Sequence, residues 1–193
     1  DLELGDDTRM LTQEYFPNKN VVMNEELKAR ERKYYDFIVA YENLLRDGQI
    51  NSSNEIKVNG YENSRTGEAN KIWTYSKKDS NYDVIQMINL LGVYDNGWRC
   101  ADGIKSTPKK VENFAVKYYT DQSIQSVSIA SPDINDCISQ NLQFTKGSDD
   151  DGSYIEFTVP SLEYWNMIYL TKANSETIDT NNDITGSEGK IRS

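Results

Sequence analysis

Seven short segments rich in β-branched and aromatic residues constrain the fold of this sequence more than any other feature. Turn residues separate the segments, and several of them alternate apolar and polar residues, as strands with one buried face do. Ile155, Phe157 and Val159 alternate in this way. The segments are 71–75, 82–91, 111–119, 124–130, 142–145, 154–159 and 164–171. They predict a mostly β fold, an antiparallel Greek-key β-sandwich.

One helix is predicted before the strands, over about residues 24–47. Asn24 can cap its N-terminus, and Gly48 can end it. Its apolar residues recur at helical spacing, which predicts one buried face. They are Leu27, Tyr34, Phe37, Ile38, Tyr41, Leu44 and Leu45.

The remaining segments are less regular. Residues 2–5 are a short strand candidate at a start without an initiator Met, so we expect a piece of a longer protein. Residues 49–70 are rich in Asn, Ser and Gly, which predicts a connection with a single strand at 56–58. Residues 173–193 lack apolar periodicity and predict a tail.

The chain of 193 residues contains no histidine, which excludes whole classes of chemistry. A Ser-His-Asp triad, a Cys-His dyad and every His-ligated metal site need an imidazole. The two cysteines, Cys100 and Cys137, are too few for a zinc or iron–sulfur site and are either free or joined in one disulfide. The composition leaves open carboxylate chemistry, a cation held by oxygen ligands, or binding without chemistry. We expect no cofactor and name no metal-binding residue.

The net charge of the chain limits the classes of partner that it can bind. The formal net charge is −10 at pH 7, which argues against nucleic acid and anionic membranes because phosphate groups need a basic surface. No run approaches the roughly 18 apolar residues that a membrane span requires. Hydrophobic residues make up 37% of the chain, a globular composition.

Two acidic segments have the spacing of calcium ligands, and each has a structural alternative. Asp149–Asp151 is either a calcium loop or an acidic hairpin turn closed by Gly152. Residues 179–190 match the first positions of an EF-hand loop. That second segment has Ile184 where the loop needs glycine and Lys190 where it needs a bidentate acid.

Adjacent aromatic residues leave sugar stacking and core packing open. Tyr118–Tyr119 and Tyr164–Trp165 both lie in predicted strands, where one residue of each pair must face inward. Trp73 and Trp98 fit either interpretation. Geometry alone therefore assigns one ring of each adjacent pair to the core.

Several stretches of the sequence together resemble a known enzyme family. The most specific are Ala40–Leu45 and Val159–Leu162. The others are Leu2–Gly5 with Met10–Leu11, Glu14–Asn18, Tyr35–Gly48, Asp83–Gly92, Val127–Asp133 and Tyr154–Trp165. Over about residues 1–171, the sequence resembles the C-terminal part of glycoside hydrolase family 66. That family holds endo-dextranases and cycloisomaltooligosaccharide glucanotransferases.

The resemblance implies a division of the chain. In that family a (β/α)8 catalytic barrel is followed by a C-terminal β-sandwich. Residues 1–48 would then supply the last strand and helix of the barrel, residues 49–172 the sandwich, and residues 173–193 a tail. The remainder of the barrel would be a partner of this chain.

The resemblance also implies which site residues to expect. The family's catalytic Asp and Glu lie on earlier barrel strands, so no catalytic residue is carried over to this sequence. Glu3, Gly5 and Asp6 would stand at the C-terminal end of the last barrel strand, where barrel enzymes bind substrate. We expect these three residues to contact substrate.

The resemblance implies a retaining endo-dextranase that hydrolyses α-1,6-glucosidic bonds, with the sandwich supporting the barrel. This chain alone would be inactive. One alternative is a non-catalytic carbohydrate-binding sandwich, and another is a fragment of a cycloisomaltooligosaccharide glucanotransferase. The partner would be dextran or isomaltooligosaccharides, met in an extracellular or periplasmic location.

Overall fold

The structure is a computed structural model that describes residues 25–46, 48–94 and 106–173. Two α-helices, of 16 and 4 residues, precede eleven strands in this part of the chain, and one turn of 3-10 helix (Asn135–Cys137) lies among the strands. The helices are α1 (Glu25–Ala40) and α2 (Glu42–Leu45). The strands are β1 (Ile50–Ser52), β2 (Ile56–Val58), β3 (Asn63–Ser64), β4 (Ile72–Lys78), β5 (Tyr82–Asn89), β6 (Val111–Tyr119), β7 (Ile124–Ala130), β8 (Gln140–Leu142), β9 (Phe144–Asp149), β10 (Gly152–Leu162) and β11 (Trp165–Lys172).

The strands form two packed sheets, which confirms the predicted antiparallel sandwich. The large sheet has the order β1-β4-β5-β11-β7-β8, and β3 pairs with β4 at its edge. The small sheet has the order β2-β6-β10-β9. Among the described strands, only the β3–β4 pair is parallel. The last strand, β11, lies between β5 and β7, so the centre of the large sheet is completed last in chain order.

The core lies between the two sheets and is built by alternation. Val116 and Phe157 face it from the small sheet, while Ile85, Ile168 and Leu170 face it from the large sheet. Each of these side chains is nearly or completely inaccessible to solvent. Complete burial of one such side chain contributes about 1.5–3 kcal/mol, so this layer is the main source of stability.

The predicted strand 142–145 is wrong as a single element. Leu142 ends β8 and pairs with Val127 in the large sheet, whereas Phe144 begins β9 and pairs with Phe157 in the small sheet. Leu142 and Phe144 pack against the same core from opposite sheets. The apolar pattern therefore looks continuous although the chain changes sheets at Gln143.

Residues 49–70 contain three strands and not the single one predicted. The strand expected at 56–58 is present as β2, which belongs to the small sheet. The strands before and after it in the chain, β1 and β3, both pair with β4 of the large sheet. Both extra strands are only two or three residues long and carry Asn and Ser. Such residues have low strand propensity, and pairing with β4 overrides that preference.

The predicted helix over 24–47 is present but interrupted. Tyr41, with φ −115° and ψ 21°, separates α1 from α2. The carbonyl of Tyr41 accepts hydrogen bonds from the backbone N–H groups of Leu44 and Leu45. The strand predicted at 2–5, Asn24 and residues 174–193 lie outside the described residues. Of the helices that are described, none has the length and apolarity to cross a membrane.

Candidate functional site

Helix α1 packs on the outer face of the large sheet, the face that points away from the small sheet. Phe37 is fully buried there, and its ring meets Trp165 edge-on at 4.6 Å between centroids. Val84, Ala130 and Met167 complete this second apolar cluster. We call Phe37, Val84, Ala130, Trp165 and Met167 the helix seat. Of the apolar face that the periodicity predicts, Phe37 is fully buried here and five further residues are partly buried against the seat: Tyr34, Ile38, Tyr41, Leu44 and Leu45. The predicted burial of Leu27 is wrong, since this residue precedes the part of the helix that reaches the seat and is 43% exposed.

The helix seat explains the composition of β5. Val84 faces the helix, whereas Ile85 and Met87 face the core between the sheets. A strand covered on both faces needs apolar residues at successive positions, because neither side meets water. Apolar residues therefore stand at the successive positions Val84–Ile85 and Met87–Ile88, and the polar Asp83, Gln86 and Asn89 between and beside them are buried as well.

Asp133 ties the helix to the start of β11. Its Oδ2 accepts the backbone N–H groups of Tyr164 and Trp165 at 3.1 and 2.9 Å. Its Oδ1 accepts the hydroxyl of Tyr34 on α1 at 2.9 Å. Burial and the negative charge of Asp133 raise the pKa of Tyr34, so this phenol stays protonated and remains a donor.

A left-handed turn presses against the same helix. Asn135, Asp136 and Cys137 have φ of 50°, 47° and 67°, a region that residues with side chains rarely adopt. Lys33 of α1 pairs with Asp136 at 3.0 Å, and the hydroxyl of Tyr41 donates to the carbonyl of Cys137 at 2.8 Å. These contacts hold a conformation that costs about 1–3 kcal/mol per residue when isolated.

Cys137 carries a free thiol. Burial raises the pKa of this thiol, so its reactive thiolate form is disfavoured. The thiol lies 3.5 Å from the carbonyl of Lys33 and so belongs to the contact with the helix. Cys100, the other cysteine, lies outside the described residues.

A cleft opens at one end of the sandwich, and we call it the end cleft. It encloses about 990 Å³, and loops and strand ends from both sheets line it. Five acidic residues and two lysines contribute to its lining, which is otherwise mostly polar. Backbone hydrogen bonds continue the pairing of the small sheet into one wall of the cleft, including Tyr119 N–H to Glu55 O at 3.0 Å and Thr120 N–H to Ser153 O at 3.0 Å. The backbone therefore fixes that wall.

The floor of the end cleft is a buried polar network. The Asp83 side chain is 1% exposed, and its Oδ1 lies 2.8 Å from Lys172 Nζ. The other oxygen of Asp83 accepts the hydroxyl of Tyr118 at 2.9 Å, and Asn54 donates to that same hydroxyl at 2.9 Å. Lys172 Nζ also donates to the carbonyl of Asp79 at 2.6 Å. Burial and the Asp83 carboxylate raise the pKa of Tyr118.

The acidic segment 149–151 lies in a hairpin turn, one of the two alternatives that the sequence left open. Asp149 pairs with Gly152 where β9 meets β10. Asp149 accepts hydrogen bonds from Lys117 at 3.0 Å and from the Tyr119 hydroxyl at 2.9 Å, and Asp151 pairs with Lys57. The Lys117 hydrogen bond lowers the pKa of Asp149. Within the described ranges, no three acidic or thiol side chains are grouped to hold a metal ion.

The adjacent aromatic residues are largely used by the fold. Tyr118 lies in the core and Trp165 in the helix seat. Tyr119 is nearly buried, and its ring is inclined by 59° to that of Tyr154. The rings of Trp73 and Tyr75 are inclined by 46°. Neither pair forms a coplanar two-ring platform.

Some predicted site residues cannot be placed. Glu3, Gly5 and Asp6, the expected substrate contacts, lie outside the described residues, as do Trp98 and the segment 179–190. The helix seat and the end cleft, by contrast, were not predicted as sites. The only sequence signal for the cleft was an isolated acid, Asp83, inside an apolar strand.

The chain is similar to a family of glycosyl hydrolases and to enzymes that belong to it. The family model for glycosyl hydrolase family 66 matches residues 1–169. A cycloisomaltooligosaccharide glucanotransferase of Niallia circulans is 41% identical over 100% of this chain, and a dextranase of Streptococcus salivarius is 26% identical over 87% of it. The chain spans 20% and 23% of these two relatives, about a fifth of their length.

A solved structure has the same fold. It is the cycloisomaltooligosaccharide glucanotransferase of Paenibacillus sp. in complex with cycloisomaltoheptaose. It shares 38% sequence identity with this chain at a TM-score of 0.75, over 85% of this chain and 24% of the other.

Proposed function

Since this chain belongs to glycosyl hydrolase family 66, we propose that it is the C-terminal portion of an enzyme that acts on α-1,6-glucan. The names of the relatives, a glucanotransferase for isomaltooligosaccharides and a dextranase, support this substrate class. Because dextran is a large polymer, the enzyme would meet it outside the cytoplasm, in an extracellular or periplasmic location.

The role we propose for the sandwich is to hold the last helix of a catalytic barrel. Residues 1–48 would end the barrel, residues 49–172 form the sandwich, and 173–193 a tail. The helix seat carries this proposal, because it buries Phe37 of α1 against Trp165 of β11. A helix held in this way by apolar rings, Asp133 and a left-handed turn cannot shift without exposing them to water.

We propose that catalysis resides in the part of the enzyme that precedes this chain. A retaining mechanism needs two carboxyl groups about 5–5.5 Å apart, on either side of the glucosidic bond. In the family, the resemblance implies, these two groups lie on barrel strands that come before the region matched here, so the 193-residue chain should release no sugar from dextran. Hydrolysis of dextran by this chain alone, measured as reducing ends, would contradict the proposal.

Two reactions on α-1,6-glucan remain as candidates. The sequence predicts hydrolysis with retention, through a covalent glycosyl–Asp intermediate. The greater identity to the glucanotransferases, 41% and 40% against 26% for the dextranase, favours ring-forming transfer. Mass spectrometry of the products from dextran separates them, because a cyclic product is lighter by one water than the linear product of equal length.

The support role is tested in the full-length enzyme that contains this chain. Trp165→Ala removes the ring under the helix, and Phe157→Ala removes a ring of similar burial from the core between the sheets. We expect turnover of dextran to fall more in Trp165→Ala, at a temperature where circular dichroism shows both sandwiches folded. Equal turnover in the two variants would contradict the support role.

A further inference from the structure

We propose that the end cleft is a saccharide-binding site of the sandwich, for an uncharged oligosaccharide of the α-1,6-linked glucose type. This inference rests on the proposed function for the identity of the sugar. It concerns a site that the helix seat does not touch, because the cleft opens at the ends of the strands and the seat lies on the outer face of the large sheet.

The floor of the cleft is costly for the fold, which points to a use beyond stability. A buried ion pair such as Asp83–Lys172 is often no more stable than well-packed apolar residues of the same volume. Asp83 Oδ1 is buried, and within the described ranges its polar contact is the ion pair with Lys172 Nζ at 2.8 Å, without a well-aligned hydrogen bond. Lys172 has three N–H donors, and its recorded acceptors are the carboxylate of Asp83 and the carbonyl of Asp79.

The rim of the cleft offers further groups that the fold leaves unused. Asp121 and Gln122 line it from the loop between β6 and β7, and Glu55 lines it from the loop before β2. Within the described ranges, the side chains of these three residues form no hydrogen bond and no ion pair. Sugar hydroxyls both donate and accept, so they can bond to carboxylates, an amide and an ammonium group together.

Charge and size select the class of ligand. The excess of carboxylates over lysines repels anions such as phosphates or sulfated sugars. No described group of three acids is arranged for a metal ion. The volume of about 990 Å³ lies at the upper end of the ~300–1,000 Å³ of small-molecule sites, enough for more than a single small group. An uncharged polyhydroxyl ligand satisfies all three conditions.

The test is isothermal titration of the 193-residue chain with linear isomaltoheptaose, with maltoheptaose as the α-1,4-linked control. We expect saturable binding of isomaltoheptaose. The double variant Asp121→Ala/Gln122→Ala should weaken it about tenfold or more, because hydrogen bonds to an ionised group are lost. Both residues are exposed, so the variant should keep its fold.

Matched variants decide between outcomes. Glu112→Ala removes an exposed acid at the opposite end of β6 and should leave the affinity unchanged. Absence of binding, equal weakening by Glu112→Ala, or binding of Ca²⁺ alone would each overturn the inference. Preference for maltoheptaose would also overturn it. If the full-length enzyme acts on dextran while the chain binds no sugar, the inference fails and the proposed function stands.

Discussion

The helix seat and the end cleft belong to one sandwich but bury different chemistry. The seat brings Phe37 and Trp165 into a dry, edge-on contact, and its polar groups, such as Asp133, pair at the margin. The cleft instead has the charged pair Asp83–Lys172 buried beneath its opening, with the Asp83 side chain only 1% exposed. The difference teaches that apolar burial can carry attachment of a neighbouring element, whereas exposed polar groups around an open end stay available for a ligand.

The sharpest way to break this comparison is to empty the seat. Phe37→Ala should lower the free energy of unfolding by about 3–5 kcal/mol, because it leaves a cavity under the helix. Val39→Ala is the control, since Val39 on the same helix is 71% exposed. Urea unfolding measures both variants. A similar small loss in both would show that the helix is not held by the seat.

The floor of the cleft should respond to loss of a charge. Lys172→Met leaves the Asp83 carboxylate buried without its cation, which we expect to cost about 3 kcal/mol in urea unfolding. The double variant Asp83→Asn/Lys172→Met removes both charges and should recover part of the loss. A harmless Lys172→Met, or a double variant as unstable as the single one, would mean that the pair is not isolated from water.

The hydrogen bond between Tyr34 and Asp133, at the edge of the helix seat, should contribute less to the free energy of unfolding than the buried rings. Tyr34→Phe removes the hydrogen bond to Asp133 and should cost about 1.5 kcal/mol, because the acceptor is an ionised carboxylate. Tyr94→Phe is a matched change at a tyrosine that is 82% exposed and should have no effect. The difference between the two unfolding midpoints is the measurement. Identical unfolding midpoints would show that the hydrogen bond to Asp133 does not help to hold the helix.

The smallest expected effect is the pH response of the acidic hairpin. The Lys117 hydrogen bond lowers the pKa of Asp149 below its ordinary value of 3.8. The ionised Asp149 therefore adds to the free energy of unfolding above pH 3.8, and this stabilisation is lost as the pH falls through the lowered pKa. Lys117→Met should therefore lose stability at pH 6 and change less than the unsubstituted chain on acidification. Parallel pH profiles of the two proteins would contradict this assignment.

The sequence predicts the sandwich well because its strands follow local rules. Ile155, Phe157 and Val159 alternate as predicted and are all buried in β10. The apolar stripe of the helix likewise predicts a buried face, and Phe37 lies at its centre. These elements have patterns that persist over many residues, so no tertiary information is needed to find them.

The sites are less predictable because they depend on contacts between distant residues. Asp83 and Lys172 are far apart in the sequence, and only the pairing of β5 with β11 makes them neighbours. The sequence does not show that the chain passes from one sheet to the other at Gln143, because Leu142 and Phe144 both face the core between the sheets and continue the same apolar pattern. The left-handed turn at Asn135–Cys137 contains no glycine, and its Asn and Asp, which adopt this conformation more readily than other residues with side chains, are also common in ordinary turns.

The central claim is that the sandwich holds helix α1 through the helix seat. Hydrogen–deuterium exchange of the α1 backbone amides, in Trp165→Ala and in Phe157→Ala, tests it most directly. We predict that α1 exchanges faster in Trp165→Ala while β6 and β10 stay protected, and that Phe157→Ala loosens the strands before the helix. Unchanged protection of α1 in Trp165→Ala would contradict the claim.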